Sequence, residues 1–399
     1  MKKLLATLLM GLSLSATAQQ SWTGTWATAA EFTGEGDMPK ASLAGKSLRE
    51  VVHVSIGGER LRLQLSNEFS AEPVEIRSVY IADARDSSAI DAKSAGYLSF
   101  NGRRSVTIGA GEAVWSDDIR FSLKPLQRLS ITVCYGRLVP VNATSHRGSR
   151  TTSYIADGES RPGKPFRTVE RVDHWYNIAK IDVQSSAAAI AVLGNSITDG
   201  RGSTTNAQNR WTDFLAESLN GKGSAGGEKG GACKPTGVLN LGIGGNCVVE
   251  GGLSEPALKR FDRDILGQSG VKTLVIFEGT NDIGLSNGNS EQVARRLIEA
   301  YQTLTEKARK AGMRVFGATI TPFKGNGWYS FFHEAARQTV NEWIRMSGNF
   351  DGIIDFDTLV CDPADKEKLQ ESFSDDWLHL TPQGYEAMGK YAAEILKEQ

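Results

Sequence analysis

The chain has almost no net charge, few cysteines and no long apolar run. Its 399 residues carry 45 Lys and Arg against 46 Asp and Glu, a net charge of −1. With no extended Lys or Arg run, the electrostatic footprint of a nucleic-acid binder is missing. The longest apolar stretch, Leu4 to about Leu14, falls well short of the roughly 20 residues a membrane-spanning helix needs. Stable membrane insertion is therefore not expected. The four cysteines, Cys134, Cys233, Cys247 and Cys361, lack Cys-x-x-Cys spacing, and no His-x-x-x-His accompanies them, which speaks against a zinc site. A phosphate-cradling Gly-x-x-x-x-Gly-Lys-Ser/Thr is absent. "GIGGN", from Gly242, lacks the third glycine and the opening helix of a dinucleotide fingerprint. Neither a metal nor an organic cofactor is implied, and no internal repeat is evident.

What is present begins with "MKKLLATLLMGLSLSATAQQ". Two lysines, an apolar stretch and small residues at Ala16 and Ala18 predict a signal peptide over 1–18. Export to the periplasm or beyond follows as an expectation. No cysteine follows the apolar run, which disfavours a lipoprotein anchor. In an oxidising compartment an even cysteine count permits disulfides, and Cys233 with Cys247 is the favoured pair. Cys134 and Cys361 read as free buried thiols.

Residues 19–184 alternate apolar and polar positions in short runs broken by turn residues, as in a β-sandwich. "REVVHVSIGGERLRLQLSNEF" reads as two strands around a Gly57-Gly58 turn, with Leu61, Leu63 and Leu65 on one face. From residue 185 to 399 the character changes. "AAAIAVLG" and "VKTLVIFEG" are continuous apolar runs suited to strands buried on both faces of a parallel sheet. Helical patterns such as "EQVARRLIEAYQTLTEKARKAG" separate them. This alternation predicts a three-layer α/β/α sandwich. "GKGSAGGEKGG", Gly221 to Gly231, reads as a flexible surface insertion.

In an open parallel sheet, reactive groups gather beyond the carboxyl ends of the strands. Four stretches sit there: Gly194-Asn195-Ser196-Ile197, Gly244-Gly245-Asn246, Gly279-Thr280-Asn281-Asp282, and Asp376-Trp377-Leu378-His379 followed by Pro382 and Gly384. Their order and wording resemble the SGNH hydrolases, the GDSL esterase and lipase family. Asn195 stands where the family name has Asp. The resemblance implies a flavodoxin-like fold and ester hydrolysis, and the β-rich half looks like the extra, jelly-roll-like domain of a secreted bacterial branch. A Gly-x-Ser-x-Gly elbow is not met, because Thr198 replaces its second glycine.

The chemistry also follows from the residues. A serine hydroxyl needs a base within hydrogen-bond reach. Ser196 is the candidate nucleophile, His379 its base, and Asp376 the group that orients the imidazole. Oxyanion donors are expected from the Ser196 and Gly245 backbone N–H groups and the Asn281 side chain. Asn246 and Trp377 are candidate substrate contacts. Trp328, Tyr329 and Trp377 could form a sugar-stacking platform or simply pack. Asp282 reads as structural, His53 and His146 as structural or exposed. His174 is a candidate substrate contact, and His333 is placed at the mouth of the site. The expected substrate is an acetylated carbohydrate or another small ester. A short-chain acyl esterase or lipase and a non-catalytic glycan-binding protein are the alternatives.

Overall fold

In the computed structural model, which describes residues 21–221 and 234–397, the C-terminal half is built on five parallel strands. The segment predicted to be a signal peptide, most of the glycine-rich insertion and Cys233 lie outside the described residues. The strands are β1 (Ala188–Gly194), β2 (Thr236–Gly242), β3 (Val271–Phe277), β4 (Arg314–Ala318) and β5 (Gly352–Ile354). Their spatial order, β2-β1-β3-β4-β5, is the flavodoxin-like one.

Period-two alternation explains the three layers. Ala191 and Leu193 of β1 face one core, while Ile190 and Val192 face the other. The first core is covered by helices Ser290–Lys310 and Phe331–Met346, which contribute Leu297, Leu304, Val340 and Ile344. The second is covered by Trp211–Asn220 and Pro382–Lys397, with Trp211, Leu215, Tyr385 and Met388. Each such large buried side chain contributes about 1.5–3 kcal/mol from apolar burial. The chain runs to opposite sides of β1, so β1 and β3 flank the switch point at which a crevice opens.

The N-terminal half contains two antiparallel sheets around one core. One joins Trp22–Ala27, Ile178–Gln184 and Gly58–Ser66; the other joins Ser153–Asp157, Lys46–His53, Arg128–Tyr135 and Val74–Asp83. Leu61, Leu63 and Leu65 of the first meet Leu48, Val52, Ile131 and Val133 of the second. Strands Lys46–His53 and Gly58–Ser66 are not a hairpin: they lie in different sheets. The link dips through the core, with Val54 and Ile56 fully buried. At Gly57 a Cβ would stand 2.3 Å from the Leu123 carbonyl oxygen, so only glycine lets the chain cross there.

The β-rich half meets the parallel sheet through strand Trp22–Ala27, which packs against β2; a small third sheet joins Glu31–Phe32, Thr144–His146 and Trp175–Tyr176. The last antiparallel strand ends at Gln184 and β1 begins at Ala188. We propose the domain division between them. Among the described residues no helix is long and apolar enough to cross a membrane.

Candidate active site

β1 ends at Gly194, and the chain turns at once into a short helix, Ser196–Asp199, with Ser196 as its first residue. Asn195 caps it, its Oδ1 accepting from the Ile197 N–H at 3.1 Å. The turn is tight: a Cβ on Gly194 would lie 2.1 Å from Thr198 Oγ1. Ser196 is held at the crevice with 8% of its surface exposed.

The loop before the last helix supplies the partners. His379 Nε2 lies 3.0 Å from Ser196 Oγ, and its Nδ1 lies 2.7 Å from Asp376 Oδ2. The other carboxylate oxygen accepts from the backbone N–H groups of Leu378 at 3.0 Å and His379 at 2.8 Å. Trp377 adopts φ +60°, the left-handed turn that lets three residues close around Asp376. With Asp376 accepting from Nδ1–H, Nε2 is left to accept from the serine hydroxyl.

Burial is the main force holding the His379 imidazole below its ordinary ionisation range, and Arg201 and Arg150 push the same way against Asp376. Burial raises Asp376, but its bonds to His379 and to the two amides outweigh this and hold it below the usual carboxylate range. A neutral base against an ionised carboxylate is the arrangement that can deprotonate a hydroxyl and then carry the charge.

Across the crevice, Gly245 takes φ +71° at the end of β2, and Asn281 follows β3. Asn281 Nδ2 donates one hydrogen to the Asn246 carbonyl at 2.7 Å, leaving the second for the cleft it lines. Among the described residues, neither the Ser196 nor the Gly245 backbone N–H donates to a chain acceptor. The residues of all three uncommitted donors line the same cleft. The cleft holds about 460 Å³ and is lined from both halves: Ser196, Gly245, Asn281 and His379 face Glu31, Asp37, Arg147, Arg150 and His174.

Other candidates lie elsewhere. Asn246 is not a substrate contact: it is fully buried, its Nδ2 donating to the Leu253 and Glu255 carbonyls and its Oδ1 accepting from Arg260. Trp377 does not line the cleft either, because its positive φ turns the indole between Lys368, 3.8 Å from the ring, and Gly325. Of the three aromatics only Trp328 lines the cleft, while Tyr329 donates to Glu367 at 2.6 Å.

Asp282 accepts from the Val248 and Val249 amides and pins the loop after Gly245; burial pushes it up to about 6. His53 is held between Asp213 and the Leu126 carbonyl. His333 misses the cleft, lying instead against the Trp328 and Ser286 carbonyls. Cys247 is a free buried thiol packed against Gly252, so the favoured disulfide with Cys233 is absent. Among the described residues no group of three His, Cys, Asp or Glu side chains could hold a metal ion.

Sequence reasoning passed over Arg150 and Arg201 beside His379; His146, read as structural or exposed, is buried, its Nε2 2.9 Å from Asp199 in the Ser196 helix. The only signal was the basic cluster "SHRGSR" within an otherwise small-residue loop.

Residues 192–387 match the model of the GDSL-like lipase/acylhydrolase family. A comparison with curated proteins returned no match. Among solved structures, a GDSL-like lipase from Bacteroides thetaiotaomicron is similar at 18% identity and a TM-score of 0.39, covering 54% of this chain and 90% of its own. A carbohydrate acetylesterase from Sinorhizobium meliloti is similar at 13% identity and a TM-score of 0.40, covering 52% of this chain and 98% of its own. The α/β half of the chain, with its four sequence blocks gathered at one crevice, belongs to the GDSL-like lipase/acylhydrolase family of carboxylic ester hydrolases.

Proposed function

We propose that the chain is an exported serine esterase that removes acetyl or other short acyl groups from carbohydrate through an acyl-enzyme. The observation that carries this is the unbroken series from Asp376 to His379 to Ser196, at 2.7 and 3.0 Å. Ser196 Oγ attacks the ester carbonyl as His379 Nε2 takes its proton, and the carbonyl oxygen gathers charge toward Gly245, Asn281 and the Ser196 amide. His379 then returns the proton to the departing alcohol, and water repeats the sequence on the acyl-enzyme. A short acyl group and a polar alcohol suit the cleft, whose apolar lining is limited to Leu253, Leu378 and Trp328 among charged side chains. The test measures acetate and fatty-acid release from a panel of acetylated glycans and long-chain acyl esters. Acetate release from glycans is expected, and activity on long-chain esters alone would sink the carbohydrate assignment.

Two further outcomes follow from the geometry. Because His379 ionises below its ordinary value, kcat/KM should stay high down through about pH 6.5, the unperturbed imidazole value, and fall only at lower pH. A pH-rate profile with its acid limb above that value would contradict the neutral-base assignment. Asn281→Ala should lower kcat by about 10²- to 10³-fold with a small change in KM, since the lost donor serves the transition state. Steady-state kinetics on a chromogenic acetyl ester reads both parameters.

A further inference from the structure

The charges around the cleft do not cancel beside His379. Arg147 is engaged: its Nη2 and Nε lie 2.7 and 3.1 Å from Glu31 Oε1. Asp199 is taken by His146 at 2.9 Å, with Arg150 Nη2 farther off at 3.5 Å. Arg150 Nε is buried and has no hydrogen-bond partner among the described residues. Arg201 is exposed at the rim, and among the described residues no ion pair or hydrogen bond engages its guanidinium, while its carbonyl accepts from the Tyr385 hydroxyl. Asp37, half-exposed, lines the same cleft, with His174 Nε2 at 3.6 Å.

The Arg201 guanidinium thus keeps its donors for a ligand, and Arg150, half-buried in the same cleft, adds a second positive charge; both act on His379. Arg150 is also held at φ +48°, an uncommon conformation for a residue with a side chain. Its carbonyl is fixed by the Asn206 N–H at 2.9 Å, which secures that strained turn. Strain maintained in this way next to a reacting centre marks a side chain whose direction matters.

Resting on the esterase reading above, we infer that Arg150 and Arg201 select esters whose alcohol half carries a carboxylate, as in an O-acylated uronic or other acidic sugar. The side of the ester follows from the proton's path. His379 protonates the departing oxygen, so the alcohol leaves on the histidine's side, where both guanidiniums lie. The carbonyl oxygen points the other way, to Gly245 and Asn281. A guanidinium fork matches a carboxylate in shape and number of donors. Asp37 in the same cleft disfavours a dianion.

The test compares kcat/KM for an O-acetyl glucuronoside with that for the same sugar as its uncharged carboxamide. Wild-type protein should prefer the carboxylate by about tenfold, the scale of a hydrogen bond to a charged group, and the preference should shrink as salt is raised. In Arg201→Gln the ratio should fall toward one, mainly through KM, with Arg201→Lys retaining part of it. The wild-type ratio stands even if Arg150 tolerates no replacement. Cleavage of the carboxamide with a ratio of one or less overturns the inference alone. Cleavage of neither sugar, nor of a simple chromogenic acetyl ester, overturns the esterase reading and this inference with it.

Discussion

Ser196→Ala should reduce turnover of a chromogenic acetyl ester by about 10⁶-fold, the scale seen when the nucleophile of a cooperating serine-histidine pair is removed. The size of the loss comes from the chemistry rather than from the fold. Ser196 Oγ makes one side-chain hydrogen bond, to His379 Nε2, and the helix it opens is capped by Asn195 rather than by the serine. Alanine keeps the Cβ and the backbone N–H, so stability should change by less than about 1 kcal/mol. The pair should also be non-additive: Ser196→Ala combined with His379→Ala should be no slower than Ser196→Ala alone, because a base without a nucleophile has nothing to activate. Initial rates, with a thermal melt of each variant, check both points. Substantial hydrolysis by folded Ser196→Ala protein would place the reaction elsewhere in the chain.

The parts of this arrangement that could be read from the sequence are those encoded locally. Runs such as Ala188–Gly194 and Val271–Phe277 are apolar because both faces are covered, and each ends in the small or polar residues that make the crevice. What could not be read depends on contacts between distant segments. Nothing local says that Gly57 carries the chain from one sheet to the other, since a two-glycine turn suits a hairpin equally well. Asn246 looks like a cleft residue until Arg260 and the Leu253 and Glu255 carbonyls are seen to use its whole amide.

Asn195 is more informative than its departure from the family wording suggested. Its side chain caps the Ser196 helix and faces the Glu278 carboxyl. Burial drives Glu278 well above its ordinary ionisation range against the opposing pull of Arg260. An aspartate at this position would set a second carboxyl against Glu278 in a buried site, whereas the amide keeps the cap and adds no charge. The sequence showed the exception, and only the neighbour 83 positions away in the chain gives it a physical reason.

The least legible feature is also the one whose loss should most disturb the fold. His146 and Asp199 are 4% and 3% exposed and lie 2.9 Å apart, one from the small sheet of the β-rich half and the other from the nucleophile's own helix. Burial alone would lower the histidine's ionisation, but Asp199, Glu31 and the Ala29 carbonyl outweigh it and raise the imidazole above its ordinary value. A histidine raised in the folded state stabilises that state fully below its unfolded value, about pH 6.5, and the contribution fades as pH climbs through the higher folded value. His146→Ala leaves the Asp199 carboxylate buried with only Arg150 Nη2 nearby, at 3.5 Å. Removing one partner of a buried pair costs about 3–5 kcal/mol, so denaturant unfolding should show a deficit of that order at pH 5.5. The gap to wild type should narrow toward pH 9, where the wild-type imidazole has lost its charge. Because Asp199 ends the helix that Ser196 begins, the folded variant should also lose turnover. A stability gap that is the same at both pH values would show that His146 contributes no charge to the fold and acts there only by packing and neutral hydrogen bonding.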